Sequence, residues 1–166
     1  MEGVLDTISK EQVYEALQNV HDPEIPVISV VDLGIIPSVE ISSEGILVRM
    51  SPTFSGCPAL HFMQENIRAE LIQKLGTDKV EVIIDFESPW SSNNISEKGL
   101  GLLKKFGLAP PARYKNELNV SDIADTACPY CDSHDTVMKS AFGSTLCRSI
   151  HYCNNCKQAF EQFKPV

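Results

Sequence analysis

Apolar residues recur along this chain with two different periods, and the changes between them mark out its elements. Ser9-Lys10-Glu11-Gln12 fits a capping box with Ser9 as N-cap and Gln12 at the third helical position. Val13, Leu17 and Val20 follow at helical spacing, which predicts a first helix over residues 10–20. Asp22-Pro23-Glu24-Ile25-Pro26 cannot continue it, because two prolines remove backbone donors and clash with the preceding turn. Val27–Ile36 is rich in β-branched residues and predicts a strand with a bend at Gly34. Val39–Ile41 and Ile46–Met50 flank Ser42-Ser43-Glu44-Gly45, the pattern of a hairpin.

A loop over Pro52–Gly56 leads to Pro58, which opens a long helix running to about Leu75. Its stripe of Leu60, Met63, Ile67, Leu71 and Leu75 should face a sheet, and Gly76 ends it. Val80–Phe86 reads as a further strand. Ser96 caps a helix over Glu97–Phe106, which Gly107 stops and Pro110-Pro111 closes off. The polar, acidic stretch 111–127 reads as a linker. The order of these elements predicts an α+β fold: a small mixed-sheet α/β sandwich over residues 1–110, the linker 111–127, and a C-terminal module over 128–166.

That module carries the most specific chemical signal. Cys128-Pro-Tyr-Cys131 and Cys153-Asn-Asn-Cys156 are two C-x-x-C pairs with 21 residues between them. Each pair sets two thiolates on one tight turn, and two pairs complete the four sulfurs of a structural zinc site. A closed site of this kind holds structure and leaves no position for a substrate. Cys147 is a fifth cysteine of the module that could replace Cys153 as a ligand, although two symmetric knuckles are the simpler set. His134 and His151 then fall outside the ligand set. Tyr152, Phe160 and Phe163 should supply the module's core, because so few residues bury little without a metal.

Composition narrows the classes. The chain has 166 residues, 43% of them hydrophobic, enough for a packed core. No apolar run has the length of a membrane span and the N-terminus carries no signal-sequence pattern, so a cytoplasmic protein with reduced thiols is expected. Six cysteines then mean metal or reactivity and not a disulfide scaffold. The net charge of −8 is uneven: residues 1–127 hold ten Lys and Arg against nineteen Asp and Glu, residues 128–166 four against three. The ribbon therefore lacks the basic face that nucleic-acid binding requires, and neither nucleic acid nor membrane is an expected partner.

Chemistry outside the ribbon centres on Cys57. Lying between Gly56 and Pro58, it should stand at the N-cap or just before it, where unpaired N–H groups and the helix dipole favour a thiolate. It is then either a nucleophilic or metal-binding thiolate or a buried small hydrophobe. Asp22 and Glu24 flank Pro23 and either ligate metal and relay protons or cap a turn and face water. Asp32, within an apolar strand, needs a partner. His61 lies one helical turn past Cys57 and could act as its base; no third residue to orient it stands out, which weakens thiol enzymology. No E-x-x-H pair is present for a di-iron centre.

Read together, Asp22-Pro-Glu-Ile-Pro-Val27, Asp32-Leu-Gly34, Ser51-Pro-Thr-Phe-Ser-Gly-Cys-Pro58, Pro89-Trp90, Phe106-Gly-Leu-Ala-Pro-Pro111, Cys128-Pro-Tyr-Cys131, Phe142-Gly-Ser-Thr-Leu-Cys147 and Phe160-Glu-Gln-Phe-Lys164 resemble the PaaD/PaaJ family, accessory components of bacterial phenylacetyl-CoA epoxygenase systems. The first half alone is similar to the wider family of small iron–sulfur-cluster-assembly domains. The resemblance implies a maturation factor that helps insert or maintain an iron–sulfur cluster or other iron centre in a phenylacetyl-CoA oxygenase system. It implies Cys57 as the functional thiol, Asp22 and Glu24 as the acidic motif, and an accessory place for Cys147. A single cysteine cannot complete a cluster's ligand set, so a homodimer, the client protein or Cys147 must supply the rest. A non-catalytic structural subunit of the oxygenase is the alternative. Where relatives often continue Pro-Trp with Thr-Thr-Asp-Trp, this chain has Ser91-Ser92-Asn93-Asn94 and loses the second aromatic residue.

Overall fold

The structure, a computed structural model, describes residues 5–115 and 120–166. They group into two compact units that divide after Trp90.

In the first unit a short 3-10 turn, Leu5–Thr7, precedes helix α1, Lys10–Leu17. The capping box is made as expected: Gln12 N–H donates to Ser9 Oγ at 3.3 Å and Ser9 N–H to Gln12 Oε1 at 2.8 Å. The helix stops three residues short of the expected end, and Val20 offers its carbonyl to Val30 N–H at 2.9 Å.

Residues 27–36 do not form the expected strand. Ile28, Val30, Leu33 and Ile35 are all buried, so their hydrophobicity is used, but the backbone winds through successive turns. Short polar side chains compete with a ladder here: Asp32 N–H donates to Ser29 Oγ at 3.0 Å, and Leu33 N–H bonds the Ser29 carbonyl at 2.8 Å. Apolar alternation alone did not separate a strand from a buried chain of turns.

The hairpin forms as read, from β1 (Ser38–Ser42) and β2 (Gly45–Met50), with Ser42 opposite Gly45. A Cβ on Gly45 would stand 2.5 Å from the Lys79 carbonyl oxygen, so this position requires glycine. Helix α2 (Leu60–Leu75) then carries the chain to β3 (Val80–Ile84), which pairs in parallel with β2 in a three-stranded sheet of order β1-β2-β3. Leu60, Met63, Ile67 and Leu71 of α2 are buried with Val39, Ile46, Val48, Met50, Val80 and Val82 of the sheet.

Edge strand β3 is closed by α2. The Lys79 carbonyl and the Asp85 N–H both bond β2 residues, so by alternation the carbonyls of Val80 and Val82 face the open edge. Gln64 Nε2 donates to Val82 O at 2.6 Å and Arg68 Nε to Val80 O at 3.2 Å. Two side chains one helical turn apart thus occupy the acceptors another strand would use.

The second unit contains a 3-10 turn at Ser92–Asn94, α3 (Glu97–Phe106), β4 (Leu108–Ala109), α4 (Val120–Ala124), β5 (Thr136–Ser140), β6 (Arg148–Cys153) and β7 (Ala159–Phe163). Ser96 caps α3 as expected, accepting from Gly99 N–H at 2.9 Å. The sheet order is β4-β7-β6-β5, with β4 parallel to β7 and the other pairs antiparallel. The polarity pattern sets a boundary near residue 110, whereas the compact units divide after Trp90. The reason is β4: Leu108 pairs with Glu161 and Ala109 with Gln162, so this stretch belongs to the C-terminal sheet. Within the expected linker, Arg113 Nη2 donates to the Ile95 carbonyl at 2.7 Å and Tyr114 OH to the Val166 carbonyl at 2.5 Å; residues 116–119 lie outside the described set. Among the described residues no helix is long and apolar enough to cross a membrane.

Replacing Gln64 and Arg68 together by leucine should leave the β3 carbonyls without donors. Stability in urea should fall by about 1–3 kcal/mol, and the variant should self-associate in sedimentation at concentrations where the wild type does not. Unchanged stability and sedimentation would show that α2 does not guard this edge.

Candidate metal centre and thiol loop

Two turns of the same construction build the cysteine cluster. In the first, Asp132 N–H bonds the Cys128 carbonyl at 2.9 Å with Asp132 at φ 60°; in the second, Lys157 N–H bonds the Cys153 carbonyl at 3.0 Å with Lys157 at φ 61°. These are the described non-glycine residues with positive φ, a conformation costly enough to need support from its surroundings. The turns are tied together by Asn154, whose N–H donates to the Asp135 carbonyl and whose Nδ2 donates to Asp135 Oδ1, each at 2.8 Å.

The sulfurs of Cys128, Cys131, Cys153 and Cys156 all lie within 4.8 Å of one another. Cys128–Cys156 and Cys131–Cys153 are 3.6 Å apart. A tetrahedral ion with sulfur at about 2.3 Å has sulfur–sulfur edges of about 3.8 Å, so this set fits a four-coordinate metal. Cys128 and Cys153 are fully buried against Ala109 and Phe160; Cys131 and Cys156 are partly exposed. Burial pushes the Cys128 thiol up and Cys156 to about 12, while the Ser133 backbone and Asn155 hold Cys131 at about 6. Four thiolates this close need a cation among them.

Cys57 occupies a different setting. Its N–H bonds the Phe54 carbonyl at 3.1 Å, and its own carbonyl receives Leu60 N–H at 3.4 Å. Helix α2 begins at Leu60 with Ala59 as N-cap, so Cys57 stands two residues before the cap instead of on it. Its turn and Pro58 displace the helix start. No side chain caps α2, and Cys57 is partly exposed. Phe54 and Phe62 are exposed on the same loop and first helical turn.

Asp22 is buried and closes its own turn: Oδ1 accepts from Glu24 N–H at 2.7 Å and Ile25 N–H at 3.0 Å. Glu24 is exposed. Asp32 is buried, with Ser29 Oγ donating to Oδ2 at 3.0 Å. Among the described residues the four ribbon cysteines form the one cluster of candidate metal ligands; Cys57, Asp22, Glu24 and Asp32 are in none. His61 is exposed, with Nδ1 3.4 Å from Gln64 Oε1. Cys147 lies outside the cluster, its Sγ 3.1 Å from Thr145 Oγ1.

Two groups went unread in the sequence. Ser149, His151 and Gln162 form a fully buried polar set on one face of β6 and β7, with Ser149 Oγ 2.9 Å from His151 Nε2 and burial lowering the His151 pKa. Arg148 and Glu161 form an ion pair at 3.0 Å on the other face. The signal for both is the pairing of Arg148 with Phe163 and Ile150 with Glu161, a register no single strand reveals.

Comparison with known proteins follows the same division. Residues 10–84 match the family described as "Iron-sulfur cluster assembly protein", and residues 114–164 the "PaaD zinc beta ribbon domain". The chain is 33% identical over 165 residues, 98% of both chains, to an Escherichia coli (strain K12) protein named as a subunit of a "Putative 1,2-phenylacetyl-CoA epoxidase". It is 34% identical over 93 residues, 55% of this chain and 88% of the relative, to a Porphyromonas gingivalis "Fe-S protein maturation auxiliary factor". Among solved structures, a conserved hypothetical protein from Thermotoga maritima matches with TM-score 0.50 and 30% identity, covering 61% of this chain and 96% of that one. A DUF59 domain from Bacillus anthracis shares the fold, with TM-score 0.53, 24% identity, and 57% and 90% covered. The chain belongs to the PaaD family, an iron–sulfur-assembly-type domain joined to a ribbon with a metal-binding cysteine cluster.

Cys153→Ser should remove one metal equivalent and raise amide exchange from α3 through β7, because β4 completes the same sheet, while β1–β3 keep their protection. Metal analysis and hydrogen exchange together check this. Full protection of β5–β7 without metal would remove the ion from the account of stability.

Proposed function

We propose that this PaaD-family chain is a cytoplasmic maturation factor without catalysis of its own, helping to load or maintain an iron–sulfur cluster or iron centre in a phenylacetyl-CoA oxygenase system. The carrying observation is a partly exposed thiol, Cys57, before a 16-residue helix whose first turn has no side-chain cap, inside the segment that matches the assembly family. The N–H groups and dipole of that turn favour a thiolate nearby. A thiolate open to solvent can accept and release a soft metal, and one thiolate cannot retain a cluster alone. The client or a second copy of the chain would supply the other ligands during transfer. Buried Asp22 fixes the acidic turn, and Glu24, exposed on that turn, would face the client.

The ribbon's ion is zinc in this reading. Four cysteines, two of them buried, suit a closed tetrahedral site, which holds the second unit together and offers no open position for cargo.

A second reading, a structural subunit of the oxygenase, draws on the match along 98% of the chain to a relative named as an epoxidase subunit. The two separate in cells growing on phenylacetate with wild-type chain or Cys57→Ser. Maturation predicts loss of at least about half the iron from the oxygenase or its reductase at unchanged polypeptide level. Equal iron with reduced activity would favour the structural subunit. Purified under anaerobic conditions and followed by alkylation at rising pH, Cys57 should react before Cys147. Reaction of Cys57 only after denaturation would end its role as the transfer thiol.

A further inference from the structure

The loop between β5 and β6 holds its backbone rigidly and leaves its apolar side chains in solvent. Gly143 N–H bonds the Arg148 carbonyl at 2.9 Å, and Arg148 N–H bonds the Thr145 carbonyl at 3.1 Å. Ser144 donates its N–H to Glu161 Oε1 at 2.5 Å and its hydroxyl to Oε2 at 2.9 Å. Arg148 Nη1 reaches both Ser144 Oγ and Glu161 Oε2, at 3.2 and 3.0 Å. A Cβ on Gly143 would lie 2.7 Å from Glu161 Oε1 and 2.8 Å from Arg148 Cβ, so the clamp closes only over glycine. Ser140 Oγ accepts from Phe142 N–H and donates to the Phe142 carbonyl.

On this frame Phe142 is 68% exposed and Leu146 49% exposed. Lys164 Nζ donates to the Ala141 carbonyl at 3.2 Å and sits 5.4 Å from the centre of the Phe142 ring. A ring, an aliphatic side chain and an ammonium are therefore displayed by a backbone that has little freedom left to lose on binding, the condition under which exposed apolar groups act as anchors.

Charge selects the occupant. In residues 128–166 each carboxylate already has a partner: Asp132 with Lys104, Asp135 with Asn154, Glu161 with Arg148. Lys139 and Lys164 are the cations beside the loop, on a chain whose residues 1–127 carry an excess of nine acidic groups. A partner rimmed with carboxylates is repelled by most of this chain and attracted here, which orients the encounter.

We propose that Phe142, Leu146 and Lys164 form a prebuilt anchor that enters an apolar, carboxylate-rimmed cleft on the client protein. The choice of client rests on the maturation reading; the anchor itself rests on the loop. The test measures binding of the full chain to the purified oxygenase complex and, separately, to its reductase from the same organism, at several salt concentrations. Phe142→Ala with Leu146→Ala should raise Kd at least about thirty-fold for one of the two proteins, with metal content and melting temperature unchanged. Lys164→Glu should weaken binding at low salt and reverse its salt dependence. Glu161→Gln, which keeps both anchors but loosens their support, should weaken binding about ten-fold. Equal Kd for wild type and the double variant would overturn the proposal, as would the absence of a complex with either protein. Wild-type self-association lost in the double variant would overturn it too, by assigning the loop to a second copy. Iron loading in Cys57→Ser cells is scored apart: unchanged loading with intact anchor-dependent docking sinks the maturation reading alone, and lost loading with anchor-independent docking sinks the anchor alone.

Discussion

Bringing four sulfurs within 4.8 Å sets the terms for the whole second unit. Each turn must hold a non-glycine residue at positive φ, and two thiols must be buried completely, with burial opposing ionisation at Cys128. Neither cost is recovered by the turns themselves. A cation among the sulfurs recovers both, and the surrounding structure is arranged to keep the sulfurs converged. Ala109 and Phe160 close over Cys128 and Cys153; Asn154 ties one turn to the other; and two residues of β4, distant in sequence, add a parallel edge beside β7. A sheet this small has little apolar area to bury, so metal, backbone pairing and the Arg148–Glu161 ion pair share the task.

The first unit meets a different constraint. In the proposed transfer role its thiol must stay reachable, so rigidity has to come from residues around it. Cys57 lies on the connection between β2 and α2, and both ends are fixed: β2 by strands on either side, α2 by its buried stripe and by Gln64 and Arg68 bonded to β3. Within the loop, Cys57 N–H bonds the Phe54 carbonyl and Leu60 N–H the Cys57 carbonyl.

What could be read from the sequence follows the range of the interaction. The Ser9 capping box, the Ser96 cap, the β1–β2 hairpin, α3 and the paired cysteines are specified within a few residues and formed where their patterns placed them, while α1 ends three residues early and α2 begins at Leu60 instead of Pro58. The 27–36 stretch failed because the Ser29 hydroxyl accepts from Asp32 N–H and donates to the Asp32 carboxylate, a competition that does not show in hydrophobic alternation. β4 failed because Leu108 finds its partner at Glu161, more than fifty residues on. Ser91–Asn94, which lacks the second aromatic of its relatives, turned out to hold residues 114 and 166: Asn93 exchanges bonds with Tyr114, and Ser92 with Val166. Asn94, at the place of the missing aromatic, is exposed.

Coordination chemistry gives the final reason for two thiol settings in one chain. Exchange rate and retention pull against each other: a site that supplies all four sulfurs holds its ion, and a site that supplies one cannot. The ribbon, with two sulfurs buried and the set complete, lies at the retaining end. In the proposed role Cys57, partly exposed before a helix start without a side-chain cap, would lie at the exchanging end. Merging the two would defeat both, since an ion lost to exchange would take the second unit's stability with it, and a retained ion would never reach a client. In the proposed maturation role, the placing of Cys57 and the cysteine cluster on separate compact units would let metal pass at the one without drawing on the ion of the other.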